Sequence, residues 1–290
     1  MKEEKKEGSA ISVIIGIDIG GSLTKIVGFK DGAAQTPRMV KATDPIASLF
    51  GALGKFMDEN CLEISGIERI MITGVGASFI TKPIYGLQTG RVDEFLSNGL
   101  GGLYLSALNR AIIVSMGTGT AIVRADRDAI EHIGGTGIGG GTILGLSSRM
   151  LNVRDMNLVI ELAKKGDLSN IDLMVKDISK EEIPGLAPDA TASNFGKISD
   201  IASKNDIALG MLNFVLQTIG TLAIFASQRY EVKDAVLIGR LSTLSYCGDI
   251  FDRLGKLYDV NFIIPTYSEF ATAFGAALAY NKNSDYSPIL

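Results

Sequence analysis

The chain is poor in the residues that carry most nucleophilic and metal chemistry. Its 290 residues hold one histidine, His132, two cysteines, Cys61 and Cys247, and no tryptophan. A lone histidine removes zinc sites built from several imidazoles, and any Ser-His-Asp or Cys-His scheme would have to pass through His132. Cys61 and Cys247 stand far apart with no CxxC, which excludes a disulfide framework and a paired-thiol redox motif. The chain therefore reads as cytoplasmic, with two buried thiols. Excess charge is missing too. Against 32 Asp and Glu there are 28 Lys and Arg, a net charge of −4, so neither nucleic acid nor an anionic membrane is expected as a partner. The opening "MKEEKKEGSA" has no apolar core and is not a secretory signal; residues 1–11 are expected to be a disordered tail.

One long uncharged run, Ile207 to Gln228, reaches bilayer-spanning length. It also carries Asn213, Gln217, Thr218 and Thr221, and strand-like segments follow it, so a helix crossing the core of a soluble domain explains it better. Elsewhere "ISVIIGIDIGGSLTKIVGFKDG" reads as two β-branched strands joined by a Gly-Gly turn. A helix is expected over Ala47 to Asn60, a buried strand in "IERIMITGVGAS", and a helix from Glu94 to Leu108. The strand–turn–strand "RAIIVSMGTGTAIVRAD" then repeats the first hairpin 97 positions on, laying Asp18 over Ser115 and Gly20 over Gly117. The echo suggests a duplicated α/β unit. "TILGLSSRMLNVRDMNLVIELAKKGD" has helical spacing, Ile183 to Ser193 reads as a loop, and the strands "DAVLIGRLS" and "VNFIIP" precede a helix in "FATAFGAALAY".

Glycine is what the chain has in quantity. "HIGGTGIGGGT", His132 to Thr142, places six glycines in eleven positions. Residues without a Cβ let consecutive main-chain amides approach phosphate oxygens, and a helix starting after Thr142 adds its positive end. Two familiar phosphate motifs do not account for it. "GTGIGG" matches GxGxxG, but no apolar strand runs into it, since "RADRDAIEH" precedes it. A Walker A loop needs GK followed by Ser or Thr, whereas the GK pairs here precede Phe56, Ile198 and Leu257. Asp18 suits hydrated Mg²⁺ held through water, and Lys25 would place a cation near a transferring phosphoryl group.

"GIDIGGSLTK", "MGTGTAIV", the "GGTGIGGGT" segment, "TASNFG" (Thr191 to Gly196) and the late "LIGRLS" together resemble the actin-like superfamily of acetate and sugar kinases and Hsp70. Within it they are most similar to the type II pantothenate kinases. The resemblance runs in order from about Ile14 to Tyr280. It implies an α/β fold of two ribonuclease H-like (actin-like ATPase) domains, at 12–107 and 108–290, with the nucleotide cleft between them. It further implies MgATP as phosphoryl donor, pantothenate as acceptor and a homodimer. ATP would be held by Asp18, Ile19, Gly20, Gly21, Ser22, Leu23, Thr24 and Lys25 of the first turn, and by Thr118 of the second. Gly140, Gly141, Thr142, Ile143 and Leu144 would complete the phosphate site, and the base would fall near Met156, Gly239 and Arg240.

Phosphorylating an alcohol needs a general base and positive charge on the phosphoryl group. Adjacent Asp93 and Glu94 both offer a carboxylate. The resemblance selects Glu94, seven residues before Gly101, and leaves Asp93 as a helix cap. His132 occupies the position where the family usually carries an arginine that meets the acceptor or the moving phosphoryl group. A histidine offers one donor per ring nitrogen and partial charge near neutrality. It would bind more weakly than an arginine, be kept protonated by Glu131 or by bound phosphate, or mark a different acid or alcohol acceptor; the bland alternative is a lone histidine pointing at solvent. A small sugar or other alcohol as substrate, or a silent nucleotide-binding regulator, stand as the alternatives. The iron–sulfur activators of hydroxyacyl-CoA dehydratases share the superfamily, but Cys61 and Cys247 do not fit their paired cysteines.

Overall fold

A computed structural model describes residues 12–41, 44–181, 183–281 and 286–289; the expected tail at 1–11 lies outside them. In chain order the strands and helices are β1 (Val13–Ile19), β2 (Leu23–Lys30), β3 (Ala33–Ala34), β4 (Arg38–Lys41), α1 (Pro45–Glu59), β5 (Ile67–Thr73), β6 (Thr89–Val92), α2 (Glu94–Ser106), β7 (Arg110–Met116), β8 (Thr120–Asp126) and β9 (Ile130–Thr136). There follow α3 (Gly140–Met150), α4 (Met156–Ala163), β10 (Leu173–Met174), α5 (Val175–Ile178), β11 (Thr191–Ser193), α6 (Lys204–Tyr230), β12 (Asp234–Ile238), α7 (Ser245–Tyr258), β13 (Asn261–Ile263), α8 (Ala271–Asn281) and β14 (Tyr286–Ile289).

The described residues form two compact units, one of them made of those up to Leu105 plus those from Phe270 onward, the other of those within Ser106–Glu269. This differs from the expected division at 107, because α8 returns to the first sheet. Gly16 of β1 lies so close to α8 that a Cβ there would fall 2.1 Å from the Ala273 carbonyl oxygen. The opposite face of that sheet packs on α1 through Ile15, Ile17, Ile26, Leu49, Leu53 and Phe56.

The duplication read from the sequence is present in the backbone. In the first sheet β2, β1, β5 and β6 lie side by side, and in the second β8, β7, β12 and β13 do the same. In both, the leading hairpin is antiparallel and the next two strands run parallel to its first. β1 and β7 have the same length and sit 97 residues apart at both ends, as Asp18 and Ser115 do. The parallel partners also end alike. β5 and β12 are each followed by a glycine at φ 87°, Gly74 and Gly239, then by a short 3₁₀ turn. A left-handed φ favours glycine, and both positions leave no room for a side chain: a Cβ would fall 2.7 Å from the Ile19 oxygen in one unit and 2.6 Å from the Met116 oxygen in the other.

Three expectations are corrected. The helical spacing after Thr142 is interrupted: α3 stops at Met150, Asn152 is left-handed at φ 59°, and Asp155 caps α4 by accepting from the Leu158 amide. A strand does run into the glycine segment, β9, but it pairs antiparallel with β8, so it builds no parallel dinucleotide-binding unit. Cys61 is exposed and not buried.

The uncharged helix is accounted for residue by residue. By length and composition α6 could cross a membrane, yet 61% of its most apolar window is buried inside the protein. Met211, Leu212, Val215, Leu216 and Ile219 sit in the second core. Thr218 and Thr221 hydroxyls donate to carbonyls one turn back, at 2.7 and 3.0 Å. Asn213 donates at 2.7 Å to Asp172, a fully buried carboxylate that also receives the Thr191 hydroxyl and the Phe195 amide. Asn194 bridges to Gln217 at 2.9 Å. The "TASNFG" stretch is thereby tied to α6 through one acid. Replacing Asp172 by Ala orphans several buried donors, so urea unfolding should show a loss of about 3 kcal/mol, while Thr221→Ala should stay within about 0.5 kcal/mol of wild type.

Candidate active site

In the first unit the chemistry gathers at the carboxyl end of β1. Asp18 stands opposite Lys25 on β2 and beside Thr73 on β5. Its Oδ2 accepts from the Lys25 ammonium at 3.1 Å, with the two side chains only 9% and 12% exposed. Its Oδ1 faces the space Gly74 leaves open, where a Cβ would lie 2.6 Å away. The Thr73 hydroxyl is fully buried and has no hydrogen-bond partner among the described residues.

Glu94 is the first residue of α2 and Asp93 its cap, accepting from the Leu96 amide at 2.9 Å. Glu94 is exposed by accessible surface, yet enough protein crowds its carboxyl that desolvation raises its pKa above the usual 4.5. The Asp18 carboxylate raises it further, Lys25 opposes, and Asp93 adds a smaller push. A carboxylate that holds its proton more tightly than usual is a stronger base once ionised. Glu94 thus feels the charges of Asp18 and Lys25.

In the second unit the glycine segment holds the second hairpin turn. The Gly140 and Gly141 amides donate to the Gly117 and Thr118 carbonyls, each at 2.9 Å, and the Gly139 amide donates to the Thr142 hydroxyl at 3.1 Å. Side chains would block this docking, since a Cβ at Gly139 would fall 2.5 Å from the Thr118 oxygen. The expectation that these amides face phosphate is therefore altered. Gly140 and Gly141 hold the turn, and what α3 retains for an anion is the positive end of its dipole. The open donors lie in the turns themselves: the amides of Gly21, Ser22, Thr118 and Gly119 have no partner among the described residues.

Met156 and the stretch after Gly239 also come near Gly140. A Cβ on Gly140 would lie 3.6 Å from the Leu241 side chain and 3.9 Å from Met156, and Arg240 is exposed beside them. Ile19, Thr24 and Ile143 have fully buried side chains, so only their main chain can meet a ligand. His132 is exposed on β9 opposite Val123. Its neighbour Glu131 lies 3.7 Å from Arg124. Sequence reasoning missed Thr73 and Gly74, although "ITG" after an apolar strand mirrors the "LIG" that it did single out.

Comparison with known proteins agrees with the geometry. The Fumble family model matches residues 106–244. Type II pantothenate kinase of Staphylococcus aureus strain USA300 is 30% identical over 78% of this chain and 83% of its own length. The chain belongs to the type II pantothenate kinase family. It is a kinase of that kind on an actin-like ATPase fold. Solved structures share the fold at low identity: the Acidaminococcus fermentans (R)-2-hydroxyglutaryl-CoA dehydratase component A has a TM-score of 0.66 at 16% identity, covering 93% of this chain and 98% of its own. The Clostridium difficile activator of 2-hydroxyisocaproyl-CoA dehydratase, solved with bound ADPNP, gives 0.62 at 17%, covering 94% and 98%. The Thermus thermophilus ROK hexokinase gives 0.56 at 12%, covering 94% and 100%. Family membership leaves Cys247 a core residue, fully buried, its thiol pushed up to about 12 by burial and so unsuited to metal or redox work.

The charge network has a readable sign. Carbon-13 titration of Glu94 should give a midpoint above 4.5. Asp18→Asn removes a raising charge and should lower that midpoint; Lys25→Met removes a lowering one and should raise it. A midpoint indifferent to both changes would contradict the network.

Proposed function

We propose that this kinase transfers the γ-phosphoryl group of ATP to the primary alcohol of pantothenate, forming 4′-phosphopantothenate and starting coenzyme A synthesis. The arrangement that carries the reading is the part-buried Asp18–Lys25 pair, 3.1 Å apart, with Glu94 at the start of α2 close enough for both charges to act on its carboxyl. Glu94 takes the hydroxyl proton as the alkoxide oxygen attacks the γ-phosphorus, and ADP leaves with the bridging oxygen's electrons. Lys25 keeps a positive charge near the transferring group. The open amides of Gly21, Ser22, Thr118 and Gly119 orient phosphate oxygens, with Ile19, Gly20, Leu23 and Thr24 shaping the first turn. Thr142, Ile143 and Leu144 continue the helix start behind the second, and Met156, Gly239 and Arg240 receive the base.

Asp18 fits Mg²⁺ held through water, because its Oδ1 opens onto the cradle that a Cβ at Gly74 would fill. When bound, the ion would neutralise phosphate charge. His132 meets the acceptor or the moving phosphoryl group. The enzyme works in the cytoplasm as a homodimer, with α6 as the candidate interface, since Phe225 on it is 59% exposed; sedimentation at monomer mass would remove the dimer.

A coupled ADP-release assay with pantothenate tests the reading. Glu94→Gln should lower kcat by roughly 10²- to 10⁴-fold with KM for MgATP little changed. His132→Arg should improve kcat/KM for pantothenate. Turnover of a sugar such as N-acetylglucosamine and none of pantothenate would assign a different acceptor, and ATP binding without turnover of any alcohol would leave a regulator.

A further inference from the structure

Glu94 and Asp18 sit on different elements, and nothing in the sequence links them. The structure does so through three layers. β1 carries Asp18, α8 packs on β1, and α2, with Glu94 at its start, packs on α8. Each joint is a backbone contact made possible by glycine. Gly16 admits α8. A Cβ on Gly101 of α2 would fall 1.8 Å from the Ala271 oxygen, and one on Gly275 of α8 would fall 1.7 Å from the Ser97 oxygen. At the far end of α2 the layers are joined by rings: Phe274 of α8 lies 5.8 Å from Phe29 of β2 and stacks on Tyr104 of α2 at 5.7 Å.

Glycine contacts set how closely α2 approaches α8. One side-chain hydrogen bond supplies direction. The Thr272 hydroxyl of α8 donates to Asn98 Oδ1 of α2 at 2.8 Å, with both residues buried. Asn98 lies one helical turn beyond Glu94, on the same face. Its amide nitrogen is buried without a hydrogen-bond partner among the described residues, which costs stability relative to an apolar residue, so packing alone does not explain an asparagine there.

We propose that the Asn98–Thr272 hydrogen bond is a positioning device that fixes the register of α2 on α8 and thereby the height of Glu94 over Asp18. The proposal rests on Glu94 being the general base. The charged groups near Glu94 are Asp18 and Lys25 on the hairpin and Asp93 before it; α8 contributes none, because Ala271 to Ala279 contains no acidic or basic residue.

Thr272→Val keeps the shape and removes the donor, Asn98→Ala removes the acceptor, and Thr272→Ser restores the bond. In the nucleotide-free protein, carbon-13 titration of Glu94 should move toward 4.5 in the first two and stay at the wild-type midpoint in Thr272→Ser. Turnover of pantothenate should fall roughly 10- to 100-fold in kcat, with KM for MgATP unchanged and the serine variant near wild type. Thermal melting identifies a variant that has simply unfolded, and the two independent removals must agree. An unchanged Glu94 midpoint in folded Thr272→Val and Asn98→Ala overturns the positioning role. Near-normal turnover in Glu94→Gln overturns the base reading instead, and the titration still decides the register claim.

Discussion

An ion pair with a second carboxylate beside it, Asp18 with Lys25 and Glu94 close enough to feel both, forms an arrangement that free side chains in water would abandon. Like charges separate unless the backbone holds them together. Here the backbone does so from two directions: the β1–β2 register places Asp18 opposite Lys25, and the stack of α8 and α2 brings Glu94 back over 70 residues later in the chain. The remaining features serve these positions. Gly74 keeps one oxygen of Asp18 uncovered, and Asp93 closes the first turn of α2 so that Glu94 starts a rigid helix and not a loop.

The second unit repeats the first in outline and differs where chemistry is concerned. β1 and β7, with their turns and their parallel partners ending in left-handed glycines, are copies in geometry. Yet the place of Asp18 is taken by Ser115, and the place of an acid-lined turn by one braced from behind with a glycine-rich segment. One copy keeps the paired charges. The other has an apolar neighbourhood of Met156 and Leu241, while the turns of both copies leave amides open among the described residues.

Much of this was legible because it is local. Hairpins announce themselves through β-branched runs and glycine turns, and the offset between residues 18 and 115 survived into the backbone without a shift. The uncharged helix was legible as a core element because its polar residues are few, and Asn213, Gln217, Thr218 and Thr221 all prove to have partners in the folded chain. What escaped were features set by distant contacts. The break at Asn152 follows from a left-handed residue and a new cap inside an otherwise continuous helical pattern. The return of α8 to the first sheet depends on Gly16, a residue that looks ordinary within its strand. The glycine segment's occupation with the neighbouring turn was hidden for the same reason: a sequence shows that amides can be approached, not which oxygen approaches them. α7 went unread although Ile250, Phe251 and Leu254 have helical spacing, since glycine and charge interrupt the pattern around them.

The central claim is that Glu94 stands where the acceptor's hydroxyl will be when the triphosphate is in place. A crystal structure of the complex with an unreactive ATP analogue, Mg²⁺ and pantothenate measures this directly. The account predicts the primary hydroxyl at hydrogen-bond distance from the Glu94 carboxylate, about 2.6–3.2 Å, with the γ-phosphorus on its far side. A hydroxyl facing away from Glu94, or met by another carboxylate, would contradict it.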